Sequence, residues 1–294
     1  MKREKTITKK LKKMKKPEKS KMTDQQMQEN INDTMTKDFK VKIDEDTQKA
    51  LDILKQTQEV IDEIAKDKKE EAKKKLANLI GELEILITKN PKVSLIPVNV
   101  SYEVRDAVVD IETAEALIEE ARKEFEAGYY QAAKKVLNTL SSEYVIKISF
   151  LPLATYPDAM KIAAKLLEEG KKDEAIAVLM NALYILAIQE IAIPLPVLRA
   201  EEFIKAAALA VSEKKEEYIE TAVVLLENAE YQLQLAEVMG YGKKDKEYKE
   251  LALAIAELKE AIKEKQETGG LFDKLSEKIK QFKERLFFDK VKEN

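Results

Sequence analysis

The chain has 294 residues, 45% of them hydrophobic and 36% charged, and contains neither cysteine nor histidine. Those two absences exclude disulfides, thiol nucleophiles, thiolate metal sites and the histidine base of a serine triad. Net charge is −3, but residues 1–21 carry +9 and the remainder −12, so the body is acidic and offers no general nucleic-acid-binding surface.

Seven Gly and seven Pro in a chain rich in Ala, Leu, Glu and Lys point to helix. The Lys and Glu excess also resembles that of heat-adapted, thermostable proteins. Residues 1–43 read as a basic, disordered lead-in, because blocks of like charge do not build a core. The core domain is expected over 44–268. It opens with a helical stripe of Ala50, Leu51, Leu54, Val60, Ile61 and Ile64. A second stripe through Ala72, Leu76, Leu79, Ile80 and Leu83 ends before Asn90-Pro91. Period two then takes over, with Val98, Val100, Tyr102 and Val104 alternating with polar residues as a half-buried strand.

Helical spacing returns through Ala114, Leu117, Ile118, Ala121 and Phe125 and stops at Gly128; the partner helix carries Ala133, Val136, Leu137 and Leu140. Tyr144, Ile146, Ile148 and Phe150 form a second strand that runs into the corner Leu151–Ala159, LPLATYPDA. There Pro157 suits a first helical turn, Thr155 is the expected cap, and Asp158 sits where the helix dipole favours negative charge. That helix ends at Gly170, and the next, with Ala175, Leu179 and Leu183, leads into an apolar run to Ile193 that fits a third strand or a continued helix. Three more helices follow from Pro196, Glu216 and about residue 245, and Gly240-Tyr241-Gly242 caps the second of them. Gly269-Gly270 introduces a C-terminal amphipathic helix (269–294) with Phe272, Leu275, Ile279, Phe282 and Leu286 on one face. That face is expected to pack on its own body or on a second subunit. Contact with an acidic membrane surface, here or through the basic start, is the alternative.

Two of the hairpins superpose at an offset of 42: Ala121, Phe125, Gly128, Ala133, Leu137 and Pro152 align with Ala163, Leu167, Gly170, Ala175, Leu179 and Pro194. A fainter copy puts Asp67, Ala72 and Leu76 in the places of Gly128, Ala133 and Leu137. The expected fold is therefore mainly α with minor β: repeated helical hairpins in a bundle with a small two- or three-stranded antiparallel sheet.

The fifty-five carboxylates make pairs such as Glu119/Glu120 and Glu201/Glu202 inevitable, and these read as solvated faces paired with Lys. A di-metal carboxylate bundle wants Glu-x-x-His, which this chain cannot supply, and no phosphate loop of the G-x-x-x-x-G-K type occurs. No catalytic residue, metal site or cofactor is expected. What stands out is a set of non-helical junctions with Tyr102, Arg105, Ser142, Glu143, Thr155, Tyr156, Arg199 and Tyr241. Either these are helix stops and caps with internally satisfied hydroxyls, or they line a small-molecule pocket between the hairpins and the sheet. A hydrolase using carboxylates or a Ser-Lys pair, and a scaffold binding a partner helix in a hairpin groove, are the other readings.

Leu151–Ala159, Pro194–Ala200 (PLPVLRA), Leu235-Ala236-Glu237 with Gly240-Tyr241-Gly242, Ser142-Glu143 and Gly270-x-Phe272-x-x-Leu275 resemble the motifs of the YfdX family of bacteria, in the same order over roughly 45–288. The resemblance implies a mostly helical, non-enzymatic, stress-associated and chaperone-like homo-oligomer that binds a small molecule. Many relatives carry an export signal, which implies a periplasmic location. By its own residues this chain reads as cytoplasmic, with no apolar h-region after the basic start and no span near ~18 apolar residues.

Overall fold

The structure, a computed structural model, describes residues 15–40, 43–108, 110–213, 216–242 and 246–285. The basic start over 1–14 and Leu286 at the end of the apolar stripe lie outside these residues. Chain order is α1 (Asp24–Asp38), α2 (Glu45–Ala65), α3 (Lys69–Lys89), β1 (Leu95–Asp106), α4 (Ile111–Glu126), α5 (Tyr130–Asn138), β2 (Ser142–Pro152), α6 (Tyr156–Glu168), α7 (Lys172–Tyr184), β3 (Ala187–Pro194), α8 (Leu195–Ser212), α9 (Glu216–Val238), α10 (Lys246–Lys263) and α11 (Gly269–Lys283). The fold is mainly α with a three-stranded antiparallel sheet in the order β1-β2-β3. Ser94 accepts from the Leu153 N–H at one end of the β1–β2 pair, and Ser141 accepts from the Ala107 N–H at the other. The second bond places Asp106 across from Ser142, and the first is offset from that register by one residue. The apolar run after Tyr184 resolves as a strand.

α1 differs from expectation, because it lies within the stretch read as a lead-in. Its helix starts at a reciprocal cap: the Gln26 N–H donates to Thr23 Oγ1 at 3.1 Å and the Thr23 N–H to Gln26 Oε1 at 3.0 Å. Met27, Ile31 and Met35, one turn apart, are buried, and α1 packs on α8.

The three hairpins close with one geometry. Asp67, Gly128 and Gly170 all have positive φ (60°, 83° and 76°). The next residue in each case donates its N–H back over the turn: Lys68 to Glu63, Tyr129 to Glu124 and Lys171 to Leu166. This is the left-handed helix stop that glycine adopts without steric cost and that Asp tolerates better than most residues. The Ala that follows each turn (Ala72, Ala133, Ala175) is at most 3% exposed, which lets the two helices of each hairpin approach. No neighbouring atom lies within 4 Å of where a Cβ on Gly170 would stand, so Gly170→Ala isolates the backbone term. It is expected to cost about 1–2 kcal/mol in chemical denaturation, while Asp67→Gly at the matching turn gives no comparable loss.

Chain contacts divide the protein into two units, and three of the four divisions fall inside strands, one in each. One comprises Phe39–Tyr102 and Ile146–Glu190. In it α2 packs on α7 and α3 on α6, with Ala50, Ile53, Val60, Leu76, Leu79 and Leu83 meeting Met160, Ala163, Leu167 and Leu179 in one apolar core. The other comprises the described parts of Met1–Asp38, Glu103–Val145 and Ile191–Asn294. There α9 packs on α8, α10 and α4, and α11 lies against α8 and α10 with Phe272, Leu275, Ile279 and Phe282 buried. The apolar face of the C-terminal helix is thus spent within its own unit. No described helix is long and apolar enough to cross a membrane.

Candidate functional site

The second unit gathers side chains from three distant parts of the chain into one polar cluster. Asp106 ends β1, and Ser142, which begins β2, is fully buried opposite it; the Ser142 hydroxyl donates to Asp106 Oδ1 at 2.7 Å. Arg199 lies in the first turns of α8, behind the Pro194–Pro196 start that fixes where the helix begins. Its guanidinium grips Asp106 with both terminal nitrogens, Nη2 to Oδ2 at 2.5 Å and Nη1 to Oδ1 at 3.3 Å. Both side chains are partly enclosed, Arg199 at 18% exposure and Asp106 at 29%.

Tyr241 enters from the end of α9. Gly240 has a φ of 94° and the Tyr241 N–H returns to Ala236, the same helix stop as in the hairpins. Its ring is thereby turned so that the hydroxyl accepts the Ser142 N–H at 3.0 Å and donates to Glu143 Oε1 at 3.1 Å. Burial pushes the Tyr241 phenol well above the ordinary tyrosine range, and the Glu143 carboxylate adds to the shift, so the hydroxyl stays a donor at physiological pH. Tyr248 on α10 donates to the Tyr241 carbonyl at 2.6 Å and meets Phe282 of α11 edge-on at 4.8 Å, tying the cluster to the core of its unit.

Four of the eight expected residues, Ser142, Glu143, Arg199 and Tyr241, therefore converge, and the remaining four do not join them. Arg105 pairs with Glu103 two residues away, 2.9 Å from Nε to Oε1, and strand alternation puts both on the face opposite Asp106. Tyr102, on the Asp106 face, is 36% exposed and lies in the other unit. Thr155 occupies the cap position of α6, but its side chain makes no capping hydrogen bond there and it is exposed. Tyr156 is 2% exposed in the core of the other unit; its hydroxyl donates to Thr57 at 3.0 Å, and Thr57 in turn donates to the Ile53 carbonyl at 2.8 Å. Burial pushes the Tyr156 phenol up to about 12, against the opposing effect of the Thr57 bond. Tyr156 is a packing residue with a satisfied hydroxyl, not a pocket wall.

Asp106, the hub of the cluster, was not among the expected residues, since only the β1–β2 register reveals what faces it. Among the described residues no group of three or more acidic side chains is arranged to hold a metal ion. Residues 53–192 match the family described as YfdX protein. Over that segment the chain is similar to the YfdX family. The segment runs from within α2 into β3, so the matched region holds β1, β2 and most of β3, together with Asp106, Ser142 and Glu143. Arg199 and Tyr241 lie beyond its end. A solved structure of Salmonella Typhi YfdX is similar at 17% identity with a TM-score of 0.31, covering 50% of this chain and 91% of that chain. No curated protein matches the chain.

Proposed function

We propose that the chain is a non-enzymatic, stress-associated protein that self-associates and binds a small molecule bearing a carboxylate or a comparable anionic group at Arg199. The observation that carries this reading is the Arg199–Asp106 grip, partly open to solvent beside Ser142 and Tyr241. A guanidinium held this way presents a fork of donors, and an incoming anion takes the place of Asp106 on it. Asp106 keeps the Ser142 hydroxyl when it is displaced, so the exchange leaves no buried polar group without a partner.

The enclosed acids do not suggest catalysis. Burial pushes the Glu201 carboxyl up, but Lys283 and Lys205 outweigh it and hold the group below the usual range, the state of an ion pair rather than of a general acid.

The test is native mass spectrometry of the purified full chain, followed by thermal-shift titration with benzoate and with short aliphatic carboxylates. A co-purified small molecule, or a dose-dependent rise in melting temperature that Arg199→Gln abolishes and Tyr241→Phe weakens, is the expected result. If no molecule co-purifies and the acids shift wild type and Arg199→Gln alike, the cluster is a structural fastening and the binding reading fails.

A further inference from the structure

The three hairpins share a turn but not an outcome. α2–α3 and α6–α7 close on each other, first helix on second and second on first. Ile64 and Leu76 of the former, with Leu167 and Leu179 of the latter, are at most 3% exposed there. Counted from the turn residue, the same two places in α4–α5 hold Phe125 and Leu137, which are 61% and 51% exposed. The lysines that follow the turn in the paired hairpins, Lys68-Lys69 and Lys171-Lys172, are replaced by Tyr129-Tyr130, at 66% and 61% exposure. Phe125 and Tyr130 meet edge-on at 5.2 Å, so the face carries a contiguous aromatic patch.

We infer that a second copy of this chain covers this face, its α4–α5 hairpin docking on the first as α2–α3 docks on α6–α7. The charges select that occupant. Between the paired hairpins Lys73 of α3 meets Glu168 of α6 at 2.7 Å. Counted from the turns, those places in α4–α5 are Lys134 and Glu126, both exposed. A two-fold axis brings Lys134 of each copy to Glu126 of the other, so the face is complementary to itself. Lys172 also reaches Asp67 at 2.6 Å in the paired hairpins, and the matching residues of α4–α5 are Tyr130 and Gly128. An aromatic ring therefore comes onto a bare glycine turn, where a groove of about 610 Å³ is lined by Glu124, Gly128, Tyr129, Tyr130, Gln131 and Ala132.

This inference deepens the self-association part of the proposed function and is independent of the Arg199 site. Sedimentation of the full-length chain over a concentration series tests it. Wild type is expected to associate, and Phe125→Glu to weaken that association about a hundredfold or more, as loss of an aromatic anchor does. Lys134→Glu alone and Glu126→Lys alone each weaken it, and the double swap restores it. That pattern does not depend on whether Phe125→Glu folds. A wild-type chain that stays monomeric overturns both this surface and the self-association reading. A chain that associates equally well with either single charge reversal keeps the reading and places its interface elsewhere.

Discussion

Tyr156→Ala is expected to lower the stability of the unit containing α2, α3, α6 and α7 by about 3–5 kcal/mol, the range for truncating a large aromatic in a closed core. Tyr156 lies on one stripe with Met160, Ala163 and Leu167, all buried, and its ring fills space beside Thr57. Tyr156→Phe separates the ring from the hydroxyl. Thr57 keeps its bond to the Ile53 carbonyl, so only one neutral hydrogen bond is lost, worth about 0.5–1.5 kcal/mol. Denaturant unfolding of the two variants gives both figures. A loss near 1 kcal/mol for Tyr156→Ala would mean the site collapses or is not packed as described. A change in ligand response for Tyr156→Phe at unaltered stability would return this residue to the binding site.

Lys283→Met is expected to have the next largest effect, about 3 kcal/mol at neutral pH. Lys283 on α11 is 5% exposed and paired with Glu201 on α8, itself 15% exposed, and Lys205 at 3.1 Å is the second partner of that carboxylate. Removing the lysine leaves an enclosed negative charge with one cation where there were two. Glu201→Gln in the same background should recover much of the loss, because the uncompensated charge disappears. The pH dependence has a definite sign. The folded-state pKa of Glu201 is depressed relative to the unfolded chain. The ion pair therefore contributes stability above the unfolded value of about 4.3, and that contribution is lost as pH falls through the folded value. Unfolding midpoints of wild type and Glu201→Gln should thus converge on acidification. If the gap between them widens as pH falls, this assignment is wrong.

Much of the fold is legible because two periods and one turn recur. The stops at Gly128 and Gly170 are visible as glycines, and the third is visible only through its neighbours, since Asp67 adopts the same left-handed backbone. α1 is missed by apolar counting, as three buried residues among fifteen make a weak stripe, yet Thr23 and Gln26 spell out its start. The corner at Tyr156 misleads for a different reason. An aromatic beside Pro157 suggests a pocket wall, whereas its spacing to Met160, Ala163 and Leu167 already puts it on the buried face. In the polar cluster, Ser142, Glu143, Arg199 and Tyr241 are recognisable as residues at chain breaks. Asp106 is not, because a carboxylate at a strand end is ordinary until the strand opposite is known.

The distance along the chain between partners also orders assembly during synthesis. The buried Ser142 N–H waits for the Tyr241 hydroxyl, 99 residues later, and Asp106 waits for Arg199, 93 residues later. The unit built from Phe39–Tyr102 and Ile146–Glu190 has its last residue once Glu190 has left the ribosome; its neighbour is still missing α8 to α11 at that moment. Nascent β1 and β2 thus emerge with their polar ends unclosed, and stay so until Arg199 and Tyr241 have been made.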